Sequence, residues 1–398
     1  MSKRPAVSHK LRRGRRGLAG SLSFVVGIFG AGACSDDPQP RAERCVWEIG
    51  TIASDAAEPG FSGIPVLQGL RFGITRANRE RLPCRLELVE ISAARGKELR
   101  DAAADLTARD RMVAVVGPYS SAALETAMPS FAAADIPVLA PTAARAALDL
   151  VDRSRFFRLI ATDESEGEAA GRYLDEVAGA ERVVLVRRDS GYTRALSDAL
   201  SRTLGPVLVD ADEAEQDEPF DEVIGAVQKA EPDAIFFAGP GAELAELAAA
   251  ASAAELDVLF AGPSIAKDPG LLGLSEAQGA VIFCSCADPA SSSDSELRRW
   301  ATDFQKEIGE APGPFAIEAF ESIQLVAAAL ADSGLSRESS PEELRESIPT
   351  WAHSHSWPGL TKTYGFDTQG ELGDPPVFVY QVSGSGWREV GRVDDLTG

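Results

Sequence analysis

The sequence predicts an α/β fold of two lobes, each built on a parallel sheet, from three observations. Short apolar runs without polar alternation recur along the chain, as expected of strands buried on both faces. Helical patterns separate these runs, which is typical of βαβ units with right-handed crossovers. Two of the units share one layout of strand, Gly-Pro, Ala-rich helix, strand and proline, which suggests two lobes of similar topology.

The apolar runs of strand length alternate with longer helical patterns. Between the first two runs, the segment VLQGLRFGITRAN has apolar side chains at helical spacing, and its predicted buried face carries Leu67, Leu70, Ile74 and Ala77. The predicted strands are 45–50, 84–89, 112–117, 136–140, 182–187, 206–210, 233–238, 257–261 and 279–284.

The repeated unit has the same spacing in both places. Gly117 lies 24 residues before Pro141, and Gly239 lies 24 residues before Pro263. Ligands bind outside the carboxyl ends of the strands in open parallel sheets, so two such loops facing each other predict a ligand cleft. Because strand-helix-strand units commonly have this length, the spacing supports α/β architecture more firmly than a true duplication.

The last third of the chain has a different pattern. Amphipathic helices are predicted between 293 and 333, and Pro341 begins a segment with the acidic first turn of a helix. YGFDTQGEL is predicted to be a turn between strands, and PPVFVYQVSGSGWREV to form a closing hairpin. The acidic segment at 211–219, ADEAEQDEP, is predicted to be a solvated loop.

The first 33 residues contain seven basic side chains, no acidic one and an apolar run that ends at Ala33. This pattern predicts a secretory signal peptide, because the run is too short and too glycine-rich for a membrane span. The small residues Ala31-Gly32-Ala33 lead into Cys34, which resembles the lipobox of bacterial lipoproteins, although that motif prefers Leu where Ala31 stands. The resemblance implies a lipidated Cys34, a tether over 34–44 and an exported protein anchored in the cell envelope. Ordinary cleavage nearby, with Cys34 as a spare thiol, is the alternative.

The composition is that of a folded protein with a large core, since 44% of the 398 residues are apolar and 25% are charged. Without the first 33 residues, the chain has 32 basic and 61 acidic side chains, a balance of −29. This negative charge argues against nucleic acid as a partner.

Four cysteines follow Cys34, and export permits disulfides. Cys45 and Cys84 each open an apolar strand-like run. If those strands lie side by side and parallel, both cysteines are at the same end of the sheet and a disulfide is geometrically natural. Cys284 and Cys286 are out of disulfide reach on a strand unless the chain turns there. A strained bridge or buried thiols are therefore favoured over metal binding, which would need further ligands.

The sequence predicts no enzyme, no cofactor and no metal site. It lacks a G-x-G-x-x-G after the first strand, a phosphate loop and a G-x-S-x-G elbow. His353 and His355 have no acids or cysteines nearby and are assigned to a surface loop. Ser120 and Ser121 in GPYSS lie at a predicted helix start, where free amides bind anionic oxygen or where serine simply caps the helix.

A series of segments occurs in a characteristic order: VVGPYSS, DIPVLAPTAA, FFRLIATDESEGEAAGRYL, DSGYTRAL, PDAIFFAG, VLFAGPSIA, FAIEAFESIQLVAAAL and YGFDTQGEL. This order resembles the type I periplasmic binding proteins of the leucine/isoleucine/valine group, the solute-capturing subunits of ABC importers. The resemblance implies two Rossmann-like lobes joined by a multi-strand hinge. Implied boundaries are 45–160 with 286–375 for lobe 1, and 161–285 with 376–398 for lobe 2, after a signal peptide at 1–33.

The resemblance also implies which residues bind the ligand. Ser121 and the loop of Thr142, Ala143 and Ala144 would hold a ligand carboxylate from lobe 1, and Tyr192 would approach from lobe 2. The full set implied as ligand-binding is Phe61, Ser62, Tyr119, Ser120, Ser121, Thr142, Ala143, Ala144, Tyr192, Pro240 and Ser264.

Three positions depart from amino-acid binders of this family. Pro240 replaces an aromatic residue, Ser264 replaces the acid that pairs with the ligand's ammonium, and Ala144 replaces a hydroxyl that Thr142 could supply. A buried ammonium without a counter-charge is strongly unfavourable. The expected ligand is therefore a small solute other than a standard α-amino acid.

The expected function is capture of this solute by closure of the two lobes, followed by delivery to an ABC permease. A sensor that signals to a regulator on the same fold is one alternative. A structural or activating envelope lipoprotein with a vestigial cleft is another.

Overall fold

Two sheets organise the part of the chain that the computed structural model describes, residues 45–53, 62–148, 150–213 and 219–398. The predicted signal peptide, Cys34 with its tether, and Phe61 lie outside these residues. The first sheet contains β1 (Val46–Ala53), β2 (Arg85–Ser92), β3 (Met112–Val116), β4 (Val138–Ala140) and β5 (Phe156–Arg158). The second contains β6 (Val183–Arg187), β7 (Leu208–Glu213), β8 (Ala234–Ala238), β9 (Leu259–Gly262) and β10 (Val281–Cys284). A short hairpin of β11 (Trp357–Pro358) and β12 (Thr363–Tyr364) precedes β13 (Phe378–Ser383) and β14 (Gly386–Arg392).

The strands of the first sheet are all parallel, in the order β2-β1-β3-β4-β5. The second sheet has the order β14-β13-β10-β9-β8-β6-β7, in which β13 is antiparallel to β10 and to β14. The helices are α1 (Ile64–Ala77), α2 (Lys97–Thr107), α3 (Ser121–Ala133), α4 (Asp163–Arg172), α5 (Gly191–Leu204), α6 (Phe220–Ala230), α7 (Gly241–Ala253), α8 (Ser295–Ile308), α9 (Ala316–Asp332), α10 (Pro341–Ser354) and α11 (Val393–Leu396).

The predicted two-lobed α/β fold is confirmed, and each predicted strand is present within a few residues of its expected bounds. The closing hairpin is confirmed as β13 and β14. Residues 211–213 were expected in a solvated loop but form the end of β7 beside β6, and 214–218 lie outside the described residues. His353 belongs to α10 and not to a loop, because the helix continues to Ser354.

Helices cover both faces of the first sheet, which explains its continuous apolar strands. Ile52 and Val115 pack in a core with α2 and α3. Ile49 and Val116 pack in a second core with α1, α8, α9 and α10. Helices α8, α9 and α10 therefore belong with the first sheet, although the chain reaches them from the second.

Glycines set the contact between α1 and α9. A Cβ atom at Gly69 would lie 2.1 Å from the Ala316 carbonyl oxygen, and one at Gly73 would lie 2.8 Å from Ile323 Cβ. The buried face of α1 thus includes Gly69 and Gly73, whereas Leu67 and Ile74 of the predicted face are only half-buried.

Two disulfides are present. Cys45 and Cys84 are joined at the same end of the parallel pair β1 and β2, as predicted. Cys284 and Cys286 are also joined, because the chain bends at Ser285 and brings their Cα atoms to 4.9 Å. Among the described residues, no helix is both long and apolar enough to cross a membrane.

Three described segments connect the two sheets: β5 to α4, β10 to α8, and the chain before β13. Buried charged groups hold two of these segments. Glu318 accepts a hydrogen bond from the Ala287 amide at 2.7 Å, and Lys362 Nζ donates to the Leu159 carbonyl at 2.8 Å. These segments form the multi-strand hinge, while the lobe boundaries within them stay a prediction.

Candidate functional site

A cavity of about 300 Å³ lies at the carboxyl ends of strands from both sheets. The loops after β3, β4, β9 and β10 contribute to it, together with the first turns of α4 and α5. This is the edge at which open parallel sheets bind ligands. Its lining residues are Ser62, Pro65, Tyr119, Ser120, Ser121, Thr142, Ala144, Arg145, Asp163, Glu166, Tyr192, Ser264, Ile265, Lys267, Asp268, Pro269, Ser285, Gly313, Pro314 and Phe315.

Most of the ligand-binding residues implied by the sequence line this cavity. The structure brings together Ser62, Tyr119, Ser120, Ser121, Thr142, Ala144, Tyr192 and Ser264. Ala143 and Pro240 do not line it. Ala143 is fully buried and its carbonyl accepts a hydrogen bond from Arg158, while Pro240 is the residue preceding α7. The two Gly-Pro loops are therefore not equivalent, because the second lobe uses the loop after β9.

The hydroxyls of the first-sheet wall are mostly engaged in holding the backbone. Ser120 is the N-cap of α3 and accepts from the Ala123 amide at 3.2 Å. Thr142 Oγ1 donates to the Tyr119 carbonyl at 2.6 Å, so it cannot donate to a ligand in this arrangement. Ser121 Oγ accepts from the Arg145 amide at 3.1 Å, which leaves its hydroxyl proton for another acceptor.

Both basic side chains of the lining are ion-paired. Arg145 contacts Glu125 at 2.8 Å, and the buried Lys267 contacts Asp288 at 2.7 Å. Their positive charges are therefore largely neutralised within the protein.

The second-sheet wall contains a buried carboxylate cluster that the sequence reasoning missed. Glu166 Oε1 accepts from the Ser264 amide at 2.7 Å and from the Tyr192 hydroxyl at 2.9 Å. Its Oε2 accepts from Ser264 Oγ at 2.5 Å. Tyr192 and Ser264 were each singled out from the sequence, and the structure shows that both are bound to the same carboxyl.

Asp163 lies one turn before Glu166 on α4 and faces the same cavity. Its Oδ1 accepts from the Ala146 and Glu164 amides at 3.0 Å each. Its Oδ2 is buried and has no hydrogen-bond partner. The hydroxyl of Ser285, also in the lining and 1% exposed, has none either. Two residues of one cavity lining thus each carry a buried polar atom without a partner, although such atoms are rare inside proteins.

Burial shifts the ionisation of both acids. Desolvation raises the pKa of Glu166 to about 7, against the lowering effect of its hydrogen bonds. Desolvation also raises the pKa of Asp163, and its two amide hydrogen bonds and Arg158 lower it only in part. Arg158 itself is paired with Glu371 at 2.7 Å. Neither Asp163 nor Glu166 forms an ion pair with a basic side chain of the described chain.

These acids correct one premise of the sequence analysis. Ser264 does stand in the second-lobe loop, but the cavity does not lack an acid, because Asp163 and Glu166 reach it from α4. Both belong to the segment ATDESEG, where acids in a first helical turn are explained by the helix dipole. No signal in one sequence separates them from exposed Glu164.

The segment of Gly313, Pro314 and Phe315 is a second part of the lining that was not predicted. Phe315 has a left-handed backbone with φ of 63°. A bulky residue in this region is uncommon and is favoured only where the surrounding structure holds it.

The Periplasmic binding protein family model matches residues 46–386. A Pseudomonas aeruginosa protein that binds leucine, isoleucine, valine, threonine and alanine is 20% identical over 284 residues, covering 70% of this chain and 74% of the relative. The fold is similar to a leucine-binding protein from Thermotoga maritima, with a TM-score of 0.73, 19% identity, and coverage of 88% of this chain and 99% of that one.

Two further solved structures are similar. A branched-chain amino acid transporter substrate-binding protein from Streptococcus pneumoniae, in complex with isoleucine, has a TM-score of 0.71 and 17% identity, covering 87% of this chain and 99% of that one. A solute-binding protein of an ABC transporter from Rhodopseudomonas palustris, in complex with 3,4-dihydroxybenzoic acid, has a TM-score of 0.71 and 16% identity, covering 87% of this chain and 97% of that one. Because the family model covers β1 to β13 and every residue of the cavity lining, this chain belongs to the periplasmic binding protein family.

Proposed function

We propose that this protein captures a small solute carrying an ammonium or similar cationic group and delivers it to an ABC importer. The observation that carries this proposal is the buried, unpartnered Oδ2 of Asp163, a residue of the cavity lining. A buried carboxylate oxygen without a donor is unfavourable in the ligand-free protein. A cationic donor from the ligand would remove that penalty.

The charges around the cavity support a cation in preference to an anion. Arg145 and Lys267 already have carboxylate partners, while Asp163 and Glu166 have no basic partner of their own. An anionic ligand group would meet repulsion at this wall. The hydroxyl proton of Ser121 offers a site for an acceptor on the opposite side of the ligand.

The cavity volume limits the ligand to a small molecule, since about 300 Å³ is at the lower end of the usual range for ligand sites. Asp163 and Glu166 remove the reason for excluding α-amino acids that rested on Ser264. Relatives that bind leucine, threonine and other amino acids support testing this class first.

Delivery to an importer is supported by the family and by neighbours that are named as transporter components. Cys34 lies outside the described residues. Lipid anchoring of the protein in the cell envelope through Cys34 is therefore a part of this proposal that rests on the sequence. A sensor on the same fold would bind the same ligand, so genes beside this one decide between them: permease and ATPase genes support import, and a kinase or regulator gene supports sensing.

The direct test is a thermal-shift screen followed by calorimetry, with L-leucine, L-threonine, L-lysine, putrescine and 3,4-dihydroxybenzoate as probes. Ligands that bind the folded state raise the unfolding temperature. At least one ammonium compound should bind, whereas 3,4-dihydroxybenzoate, which lacks a cation, should not. Binding of the aromatic acid alone would contradict the proposed ligand class. Failure of the whole set and of a broad metabolite library would favour a vestigial cleft.

Proton linkage provides an independent test. A bound cation favours the ionised form of nearby carboxyls, so binding should release protons at a pH near the Glu166 pKa of about 7. Calorimetry in buffers of different ionisation enthalpy measures this release. Affinity should rise from pH 6 to pH 8, and proton uptake on binding would contradict a cationic contact.

A further inference from the structure

We propose that the Cys284–Cys286 disulfide holds Ser285 in the cavity wall as a ligand-contacting residue. This inference rests on the proposed function, because it assigns one more contact of the same site. The contact is distinct from Asp163, since Ser285 belongs to the hinge segment after β10. The disulfide spans this one residue, so its main structural effect falls on Ser285.

The hydroxyl of Ser285 has the burial and the unused hydrogen-bonding capacity expected of a group that contacts a ligand. Ser285 is 1% exposed, lines the cavity, and its Oγ has no hydrogen-bond partner. A buried hydroxyl that is satisfied by nothing in the fold destabilises it, and so needs a separate explanation. Hydrogen bonding to a bound solute supplies that explanation.

The backbone around Ser285 is held at each neighbouring position. Cys284 ends β10 and pairs with Phe378 of β13. The Cys286 carbonyl accepts from the Tyr380 hydroxyl at 3.2 Å, and the Ala287 amide donates to Glu318 at 2.7 Å. Cα atoms two residues apart on a regular strand are about 6.6 Å apart, whereas those of Cys284 and Cys286 are 4.9 Å apart. The disulfide therefore keeps the chain bent, with Ser285 at the bend.

Ser285 is also connected, through Ser264, to the buried carboxylate of Glu166. Its amide donates to Ser264 Oγ at 3.3 Å, and the same Oγ donates to Glu166 Oε2. A change in the bend would therefore disturb Ser264 as well as Ser285. The hinge disulfide, the serine pair and Glu166 form one continuous set of contacts.

The first experiment needs no ligand. Hydrogen–deuterium exchange is measured on the full chain for the wild type, for Cys284→Ala/Cys286→Ala and for the matched control Cys45→Ala/Cys84→Ala. Removing the hinge disulfide should speed exchange in peptides covering 259–268 and 280–290. The control should leave these peptides unchanged, because its disulfide joins β1 and β2. Equal exchange in these peptides for wild type and hinge variant would overturn the positioning role.

The second experiment tests the ligand contact by calorimetry with L-leucine, L-threonine, L-lysine and putrescine. Ser285→Ala should weaken whichever of these binds the wild type by about tenfold, the usual effect of one lost hydrogen bond. Its unfolding temperature should not fall, because the deleted hydroxyl has no partner in the fold. Ser285→Thr, which keeps the hydroxyl, should retain more of the affinity than Ser285→Ala.

Unchanged affinity in Ser285→Ala would overturn the contact. If no probe bound the wild type, the proposed ligand class would fail, while the exchange comparison would still decide whether the disulfide positions Ser285.

Discussion

The two walls of the cavity use polar side chains in different ways. On the first-sheet wall, Ser120 and Thr142 form hydrogen bonds that hold the local backbone. On the second-sheet wall, Asp163 and Ser285 keep unpartnered oxygens, and Glu166 is buried with only neutral donors. A stable fold satisfies its own polar atoms, whereas a binding site leaves some for its ligand. Under the proposed function, the second wall selects the ligand and the first wall shapes the space.

The largest expected effect concerns the stability of the ligand-free protein at Glu166. A glutamate in an unfolded chain has a pKa of about 4.3, and in the fold burial raises that of Glu166 to about 7. Between these values the folded protein holds a proton that the unfolded chain has lost. The contribution of Glu166 to stability is therefore complete below pH 4 and falls as the pH rises to 7.

Glu166→Gln removes this titration. The free energy of unfolding of the variant, relative to wild type, should increase by up to about 3 kcal/mol between pH 4 and pH 8. Urea unfolding at several pH values measures the difference. Glu168→Gln, an exposed neighbour on the same helix, is the control and should show no such trend. If the difference in unfolding free energy between variant and wild type did not change with pH, the pKa of Glu166 would not be raised in the fold.

Asp163→Asn should have the next largest effect, on affinity. The variant keeps an oxygen for the two amide donors but loses the charge, and loss of one partner of a buried charge pair weakens binding by about 30-fold or more. Calorimetry with the tightest-binding ammonium compound measures it. Asp268→Asn lies in the same lining but bonds its own loop at the Gly270 amide, so it should change affinity far less. Equal losses of affinity in both variants would mean that Asp163 attracts the ligand only through the overall negative charge of the cavity and does not contact it.

Ser121→Ala should have a smaller effect, from the first wall. Ser121 Oγ accepts from the Arg145 amide and keeps its hydroxyl proton for a ligand. Because Ser121 is only half-buried and water can replace part of a lost hydrogen bond, the variant should bind about fivefold more weakly, less than the loss of about tenfold expected for the buried Ser285. The same calorimetric titration measures it. A loss larger than that of Asp163→Asn would reverse the assignment of the two walls.

Thr142→Val should affect stability and not binding. The hydrogen bond from Thr142 to the Tyr119 carbonyl holds the loop after β4. The variant lacks this bond, so it should be less stable by about 1 kcal/mol. Affinity should stay within about twofold, since the hydroxyl proton is already used by the protein. Thermal unfolding and calorimetry on the same sample separate the two quantities. A large loss of affinity with unchanged stability would make Thr142 a ligand contact.

The pattern of apolar runs predicted the two sheets because strands buried on both faces must be continuously apolar. The short strand β5 was missed because three residues carry little pattern, and its place beside β4 depends on tertiary pairing. The Cys45–Cys84 disulfide could be inferred because both cysteines begin neighbouring parallel strands. The sequence leaves the state of Cys284 and Cys286 open, because their disulfide depends on a bend at Ser285 that no local pattern specifies.

The ligand site shows the same division. The pattern at a strand end indicated Ser120 and Ser121, since the carboxyl ends of parallel strands converge at one edge, whereas the family resemblance implied Tyr192 and Ser264. The role of Asp163 and Glu166 depends on where α4 lies relative to the loop after β9. Sequence alone therefore determined the α/β fold, the family resemblance and the approximate position of the cleft, all of which follow from local pattern. Only the tertiary structure decided which polar atoms are satisfied by the fold, because that depends on contacts between residues such as Glu166 and Ser264 that are far apart in the chain.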